Sequence, residues 1–210
     1  MSLWPDVLYA AAAFLSGSIP WSWLLGKSRG IDIRNQGSGN AGATNLLRVC
    51  GRGAGLTGLF LDTLKGALPV LAAQHGIRGI APPAGDWALA VTAIFAVIGH
   101  VFSPWLGFKG GKGVATTLGV LLVLSPLTLA SGLVVFVLVL STARYISLGS
   151  ISAAVAVIPS VFIFEPDKLP LQMIICLVAV MVIVRHKSNI VRLLRGEENR
   201  FSFHGGKNAG

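Results

Sequence analysis

Three stretches of the chain gather side chains able to hold an anion. The first is Gln36-Gly37-Ser38-Gly39-Asn40-Ala41-Gly42-Ala43-Thr44-Asn45, followed by Arg48. Its glycines leave backbone N–H groups unobstructed, and Ser38, Asn40, Thr44, Asn45 and Arg48 add donors, a cradle suited to an oxyanion or phosphate. It also contains Gly37-x-Gly39-x-x-Gly42, with Asp62 downstream. No strand precedes that pattern and Asp62 falls inside an apolar run, so a dinucleotide fold is excluded. The second stretch, Gly99 to Thr116, carries Lys109 and Lys112 among Gly107, Gly110, Gly111 and Gly113. A Walker A loop needs Gly-Lys-Ser/Thr, and here Gly113 follows Lys112 while Gly110 follows Lys109. Two lysines at a helix start still make an anion site, since unpaired N–H groups and the positive dipole end add to them. The other reading is a basic membrane anchor with glycines for helix packing.

The third stretch is split between Ser147 and Ser150, just after Arg144, and Arg185-His186-Lys187-Ser188-Asn189. On a helix, His186 and Asn189 lie at i, i+3 and share a face. Asp62 and Lys65 have the same spacing inside an apolar run, where an ion pair is costly unless satisfied, and are expected to support the site. Cys50 and Cys176 are too far apart for metal-ligand spacing or a disulfide framework, and none of the three stretches calls for a metal or another cofactor.

The elements that must position these residues are membrane helices. Of 210 residues, 53% are hydrophobic and 12% charged, and the mean hydropathy is +0.74, which is too apolar for a soluble fold. The apolar runs cover roughly 7–26, 54–74, 87–106, 114–142, 151–164 and 170–184. None shows the alternation of a membrane-spanning barrel strand. The net charge is +9, and 14 of 17 cations lie in four polar stretches between or after the apolar runs, 27–53, 107–113, around Arg144 and from Arg185 onward. Only the short end of the chain could serve as a basic module with stacking partners, so nucleic acid is not an expected ligand.

The distribution of cations orients the chain. Residues 27–53 and 107–113 belong to the cytoplasm and the loop 75–86 to the outside. The run 114–142 would span about 43 Å as one helix, against a hydrocarbon core of about 30 Å. A turn at Ser125-Pro126 divides it and returns Arg144 to the cytoplasm. The expectation is an all-α integral membrane protein of about seven transmembrane helices, N-terminus outside and C-terminus cytoplasmic. Residues 1–198 form one polytopic domain and 199–210 a disordered tail. This topology brings the three stretches to one membrane face.

Together they resemble a known family. The stretch Ser38-Gly39-Asn40-x-Gly42-Ala43-Thr44-Asn45-x-x-Arg48 comes first, then Gly99-His100-x-Phe102-Ser103 running to Phe108-Lys109-Gly110-Gly111-Lys112-Gly113-x-Ala115-Thr116. Ser147-x-x-Ser150 and Arg185-His186-x-x-Asn189-Ile190-x-Arg192-Leu193-x-x-Gly196-Glu197 follow. In this order they are similar to the bacterial acyl-phosphate-dependent glycerol-3-phosphate acyltransferases, the PlsY family, over residues 16 to 198. The resemblance implies an inner-membrane enzyme of phospholipid synthesis. It would move a fatty acyl group from acyl phosphate to the 1-hydroxyl of glycerol 3-phosphate, giving lysophosphatidic acid and phosphate, with the bilayer as its third partner. The His-x-x-x-x-Asp motif of the other glycerophosphate acyltransferase class is absent at His100 and His186. Nothing in the motifs encodes an oligomeric state.

Acyl phosphate is already activated, so the chemistry it implies rests on positioning and electrostatics. Lys112, Arg48 and Ser147 or Ser150 are assigned to the phosphate of glycerol 3-phosphate. The Ser38-to-Asn45 loop, including Gly39, Asn40, Gly42 and Thr44, is assigned with Lys109 to the acyl phosphate, and Gly110, Gly111 and Gly113 are expected to bind substrate. These allocations can be exchanged. His186, oriented by Asn189, is the side-chain candidate for a base, and a substrate phosphate is the alternative. Ser38 is the candidate nucleophile should an acyl-enzyme form.

Overall fold

A computed structural model describes residues 3–202. Among them the elements are helical, apart from short 3-10 turns and one isolated bridge, between Ile77 and Ala81. The helices are α1 (Trp4–Ser18), α2 (Trp21–Lys27), α3 (Ala43–His75), α4 (Asp86–Val101), α5 (Val114–Leu124), α6 (Pro126–Ala143), α7 (Ile146–Phe164), α8 (Leu169–Arg185) and α9 (Lys187–Leu194).

The breaks have local causes. Pro20 has no N–H to continue α1, and α2 starts just beyond it. The break between α5 and α6 falls at Ser125, directly before Pro126, where the sequence places a turn. Within α3, Gly51 takes φ +83 and bends the axis. The bend presses Leu47 onto Gly55, where an added Cβ would lie 2.3 Å from the Leu47 Cβ.

Helices pair through small residues that let backbones approach. A Cβ on Gly17 of α1 would sit 2.0 Å from the Ala96 carbonyl oxygen of α4, and one on Gly99 would sit 2.3 Å from that of Phe14. Gly66 and Gly119 join α3 to α5 in the same way, against Thr116 and Thr63. α6 packs on α7, and α8 packs on α4 and α7 around a core that includes Val97, Val101, Val157, Val161, Ile175 and Val178.

Five helical segments are long and apolar enough to cross a membrane: Trp4–Lys27, Ala43–His75, Asp86–Leu106, Pro126–Ala143 and Ile146–Phe164. α8 and α9, bent by 53°, make a sixth. The seventh expected crossing, α5, has only 11 residues, about 16 Å of helix, and packs along α3 more than against α6. The tail expected to be disordered from 199 stays packed further than that. The Phe201 N–H donates to the Arg144 carbonyl at 2.6 Å and Arg200 Nε to the Tyr145 hydroxyl at 3.1 Å. Residues 203–210 of that tail lie outside the described residues.

Candidate active site

The bundle encloses a cavity of ≈ 480 Å³ between α3, α5, α6, α7 and α8. One end is polar. Ser38, Asn40, Gly42, Thr44, Asn45, Arg48, Lys112, Gly113, Ser147, Ser150, His186 and Asn189 all line it, so most of the expected site residues converge although they are spread over more than 150 positions.

The first loop is shaped by its own polar side chains. Asn45 is 1% exposed. Its Nδ2 donates to the carbonyls of Ile33 (2.6 Å) and Gln36 (3.1 Å), and its Oδ1 accepts from the Ser38 N–H at 2.8 Å. Asn45 therefore folds the loop instead of reaching for a ligand as expected. Asn40 Oδ1 accepts from the Gly42 N–H at 2.9 Å, just before α3 starts. Of the five cations in residues 27–53, Lys27 and Arg34 pair with Asp32 at 3.2 and 2.8 Å, while Arg48 turns into the cavity.

The second loop folds under the end of α4. The N–H groups of Gly110 and Gly111 donate to the carbonyls of Val101 and His100, and Arg185 Nη2 donates to the Gly110 carbonyl at 3.2 Å. A Cβ on Gly111 would lie 2.1 Å from His100 Nε2, so the two glycines serve close packing. This corrects their expected role as a ligand cradle. Lys109 is exposed and outside the cavity wall, also contrary to expectation, because the Gly110–Gly111 turn directs only Lys112 inward. Burial pushes the Lys112 ammonium down to about 8, with Arg192, Arg48 and Arg185 adding to the effect and Glu198 opposing it.

His186 caps α8 where the chain bends into α9. Its Nδ1 lies 2.7 Å from the Val182 carbonyl. A carbonyl can only accept, so Nδ1 carries the hydrogen and Nε2 keeps a free lone pair. Val182, not Asn189, therefore orients the imidazole. Asn189 is engaged elsewhere: its Oδ1 accepts from Lys112 Nζ and its Nδ2 donates to Glu198 Oε1 at 2.8 Å.

Glu198 is the residue that sequence reasoning missed. It is 6% exposed and also accepts from Ser147 Oγ at 2.9 Å and Arg192 Nε at 2.7 Å. Burial alone would raise its carboxyl. The hydrogen bonds from Asn189, Arg192 and Ser147 outweigh that and hold it below the usual carboxylate range. Its available signal was an acid directly beyond Gly196-Glu197, in a segment otherwise rich in cations. Beneath the second loop, Lys65 and Asp62 pair at 2.8 Å, both about 2% exposed, and Ser22 Oγ donates to Asp62 at 2.6 Å. Lys65 also donates to the Ile19 carbonyl freed at the α1–α2 break. The expected supporting pair is thus present and buried, with Ser22 on one carboxylate oxygen and Lys65 facing the other. Among the described residues no group of three His, Cys, Asp or Glu could hold a metal ion.

Residues 7–196 match the family profile described as glycerol-3-phosphate acyltransferase. Proteins of that name from Trichlorobacter lovleyi and Geobacter sulfurreducens are 51% identical over 195 residues and 48% over 197, each covering 93% of this chain and 97% of the relative. A crystal structure of PlsY, an integral membrane glycerol 3-phosphate acyltransferase in its glycerol 3-phosphate form, superimposes with TM-score 0.85 at 36% identity. It covers 94% of this chain and 96% of its own. The lysophosphatidic acid form of PlsY gives 0.82, covering 94% and 95%.

Proposed function

We propose, from the premise that this chain belongs to the glycerol-3-phosphate acyltransferase family, that it transfers a fatty acyl group from acyl phosphate to the 1-hydroxyl of glycerol 3-phosphate. Lysophosphatidic acid and inorganic phosphate are released. The observation that carries this reading is one cavity with Arg48 and Lys112 at one end and mainly apolar side chains along the rest. Two phosphorylated substrates, one with a lipid tail, need that combination.

The glycerol hydroxyl oxygen attacks the acyl carbonyl carbon, the bond from that carbon to the phosphate oxygen breaks, and phosphate leaves with the bonding pair. Phosphate is a good leaving group, so the protein's part is to hold two anions close and offset their charge. Lys112 and Arg48 are the cations for this. Ser150, whose hydroxyl bonds the carbonyl one turn back, is favoured over Ser147, whose hydroxyl is committed to Glu198. The Ser38–Gly42 loop presents the second phosphate site, and the two sites can exchange substrates. The hydroxyl proton passes to His186 Nε2 or to a substrate phosphate oxygen. Direct transfer is favoured over an acyl-Ser38 intermediate because the donor is already activated.

The proposed setting is a bacterial inner membrane with seven crossings, α5 being a short one, and the polar end of the cavity on the cytoplasmic face. The basic segments flanking that end support this orientation. The test is purified protein with glycerol 3-phosphate and either palmitoyl phosphate or palmitoyl-CoA. Lysophosphatidic acid is expected from the phosphate donor alone, and equal turnover of the thioester would overturn the reading.

A further inference from the structure

The apolar part of the cavity has a definite depth. On α8 the residues facing it are Leu171, Ile174, Ile175, Val178, Ala179 and Val182, ending at His186. From Val182 down to Leu171 is about 16 Å of helix, close to the roughly 15 Å of one bilayer leaflet. The far end is closed. Leu129, Val157 and Leu171, from α6, α7 and α8, are each below 10% exposed and belong to one packed cluster. Beyond them Val161 is fully buried, and Ser131 Oγ donates to Ser160 Oγ at 2.7 Å, tying α6 to α7. Gln172 Nε2 donates to the Glu165 and Pro166 carbonyls at 2.7 and 2.9 Å, fixing the α7–α8 connection. One side is open. Leu56 and Leu59 of α3 and Leu133 of α6 line the cavity yet are 62%, 37% and 41% exposed, the rim of a slit facing the bilayer.

We propose that this chamber sets a threshold on acyl length, with Leu129, Val157 and Leu171 as its floor and Ala154 midway along its wall. The proposal rests on the reading of the cavity as the acyl site. Each methylene added above the floor leaves water or lipid for a packed wall. A longer chain reaches the floor, turns out through the slit and gains nothing more. The device therefore discriminates against short chains and tolerates long ones.

The experiment measures kcat/KM with decanoyl, lauroyl, myristoyl, palmitoyl and stearoyl phosphates, and separately the affinity for lysophosphatidic acids of the same lengths by calorimetry. Up to about fourfold per methylene is expected while the chain is being buried from water, with a break between myristoyl and palmitoyl and a plateau beyond. Ala154→Leu should move the break to a shorter chain and Leu171→Ala to a longer one, so misfolding of one variant leaves the other decisive. A wild-type curve without a break, or a break unmoved in the folded variants, would overturn the proposal. Length-dependent lysophosphatidic acid binding without turnover of any acyl phosphate would support the chamber while sinking the proposed donor.

Discussion

Replacing Lys112 by arginine separates the charge of this residue from its titration. In the free protein its ammonium is pushed from 10.5 down to about 8 by burial. The charged form is therefore lost as pH rises through about 8, within the range where the enzyme can be assayed. A phosphate dianion is held by the ammonium and not by the amine. The kcat/KM for glycerol 3-phosphate should be level just below that pH and fall by up to tenfold per unit above it. A charge-assisted hydrogen bond contributes about 1.5 to 3 kcal/mol, so Lys112→Ala should lose about tenfold to 150-fold at neutral pH. The gap between the two proteins should narrow as the wild type is deprotonated. Lys112→Arg keeps its charge throughout the assayable pH range but brings a bulkier fork to Asn189 and the Gly113 turn. It should lose activity at neutral pH and lose the alkaline limb as well. The assay is initial rate against glycerol 3-phosphate concentration across the pH range for all three proteins. An alkaline limb that persists near 8 in Lys112→Arg would show that another group titrates, and would refute the argument that burial of Lys112 sets it.

His186→Ala should lower kcat by about 10² to 10⁴ if Nε2 takes the hydroxyl proton, whereas His186→Asn with much of its turnover and an unchanged acid limb would assign the base to the substrate. Glu198→Gln removes the ion pair to Arg192 and weakens the acceptor for Ser147 and Asn189, so chemical denaturation at pH 7 should show a loss of about 1 to 3 kcal/mol. Because the folded carboxyl titrates below its ordinary range, that stabilisation is present above the unfolded value and lost as pH falls through the folded one, so the two proteins should converge in acid. Gly119→Ala places a Cβ 1.9 Å from the Thr63 carbonyl oxygen and should cost about 1 to 3 kcal/mol by overpacking. Gly53→Ala meets no atom within 4 Å and should gain about 0.5 to 1 kcal/mol in the same denaturation measurement. In a Cys-free background, single cysteines at the exposed positions Ser188 and Asp167 should be labelled from the cytoplasmic and outer faces respectively; labelling of Ser188 from outside would reverse the proposed orientation.

The sequence by itself determined the class of the protein and the parts of its site. Helices follow from runs of apolar residues, because in lipid only internally bonded backbone is tolerated. The break at Ser125 follows from Pro126, a covalent property of one residue. Ser38, Arg48, Lys112, His186 and Asn189, which the fold brings to one cavity, were legible as candidates because glycines, donors and cations recur in three short, ordered motifs. The tertiary structure decided which of those residues face the cavity. Lys109 and Lys112 look alike in sequence, and the packing of Gly110 and Gly111 on His100 directs one inward and leaves the other exposed. Asn45 reads as a ligand and Asn189 as the partner of His186, yet Asn45 is committed to the loop that precedes it and Asn189 to Lys112 and Glu198. Glu198 left only one trace in the sequence, an acid among cations, since its role depends on α7, α9 and the returning tail meeting at one point. The apolar chamber was equally hidden. Its walls are made of ordinary leucines, valines and alanines, and only helix packing distinguishes a side chain that fills the core from one that leaves room for a ligand.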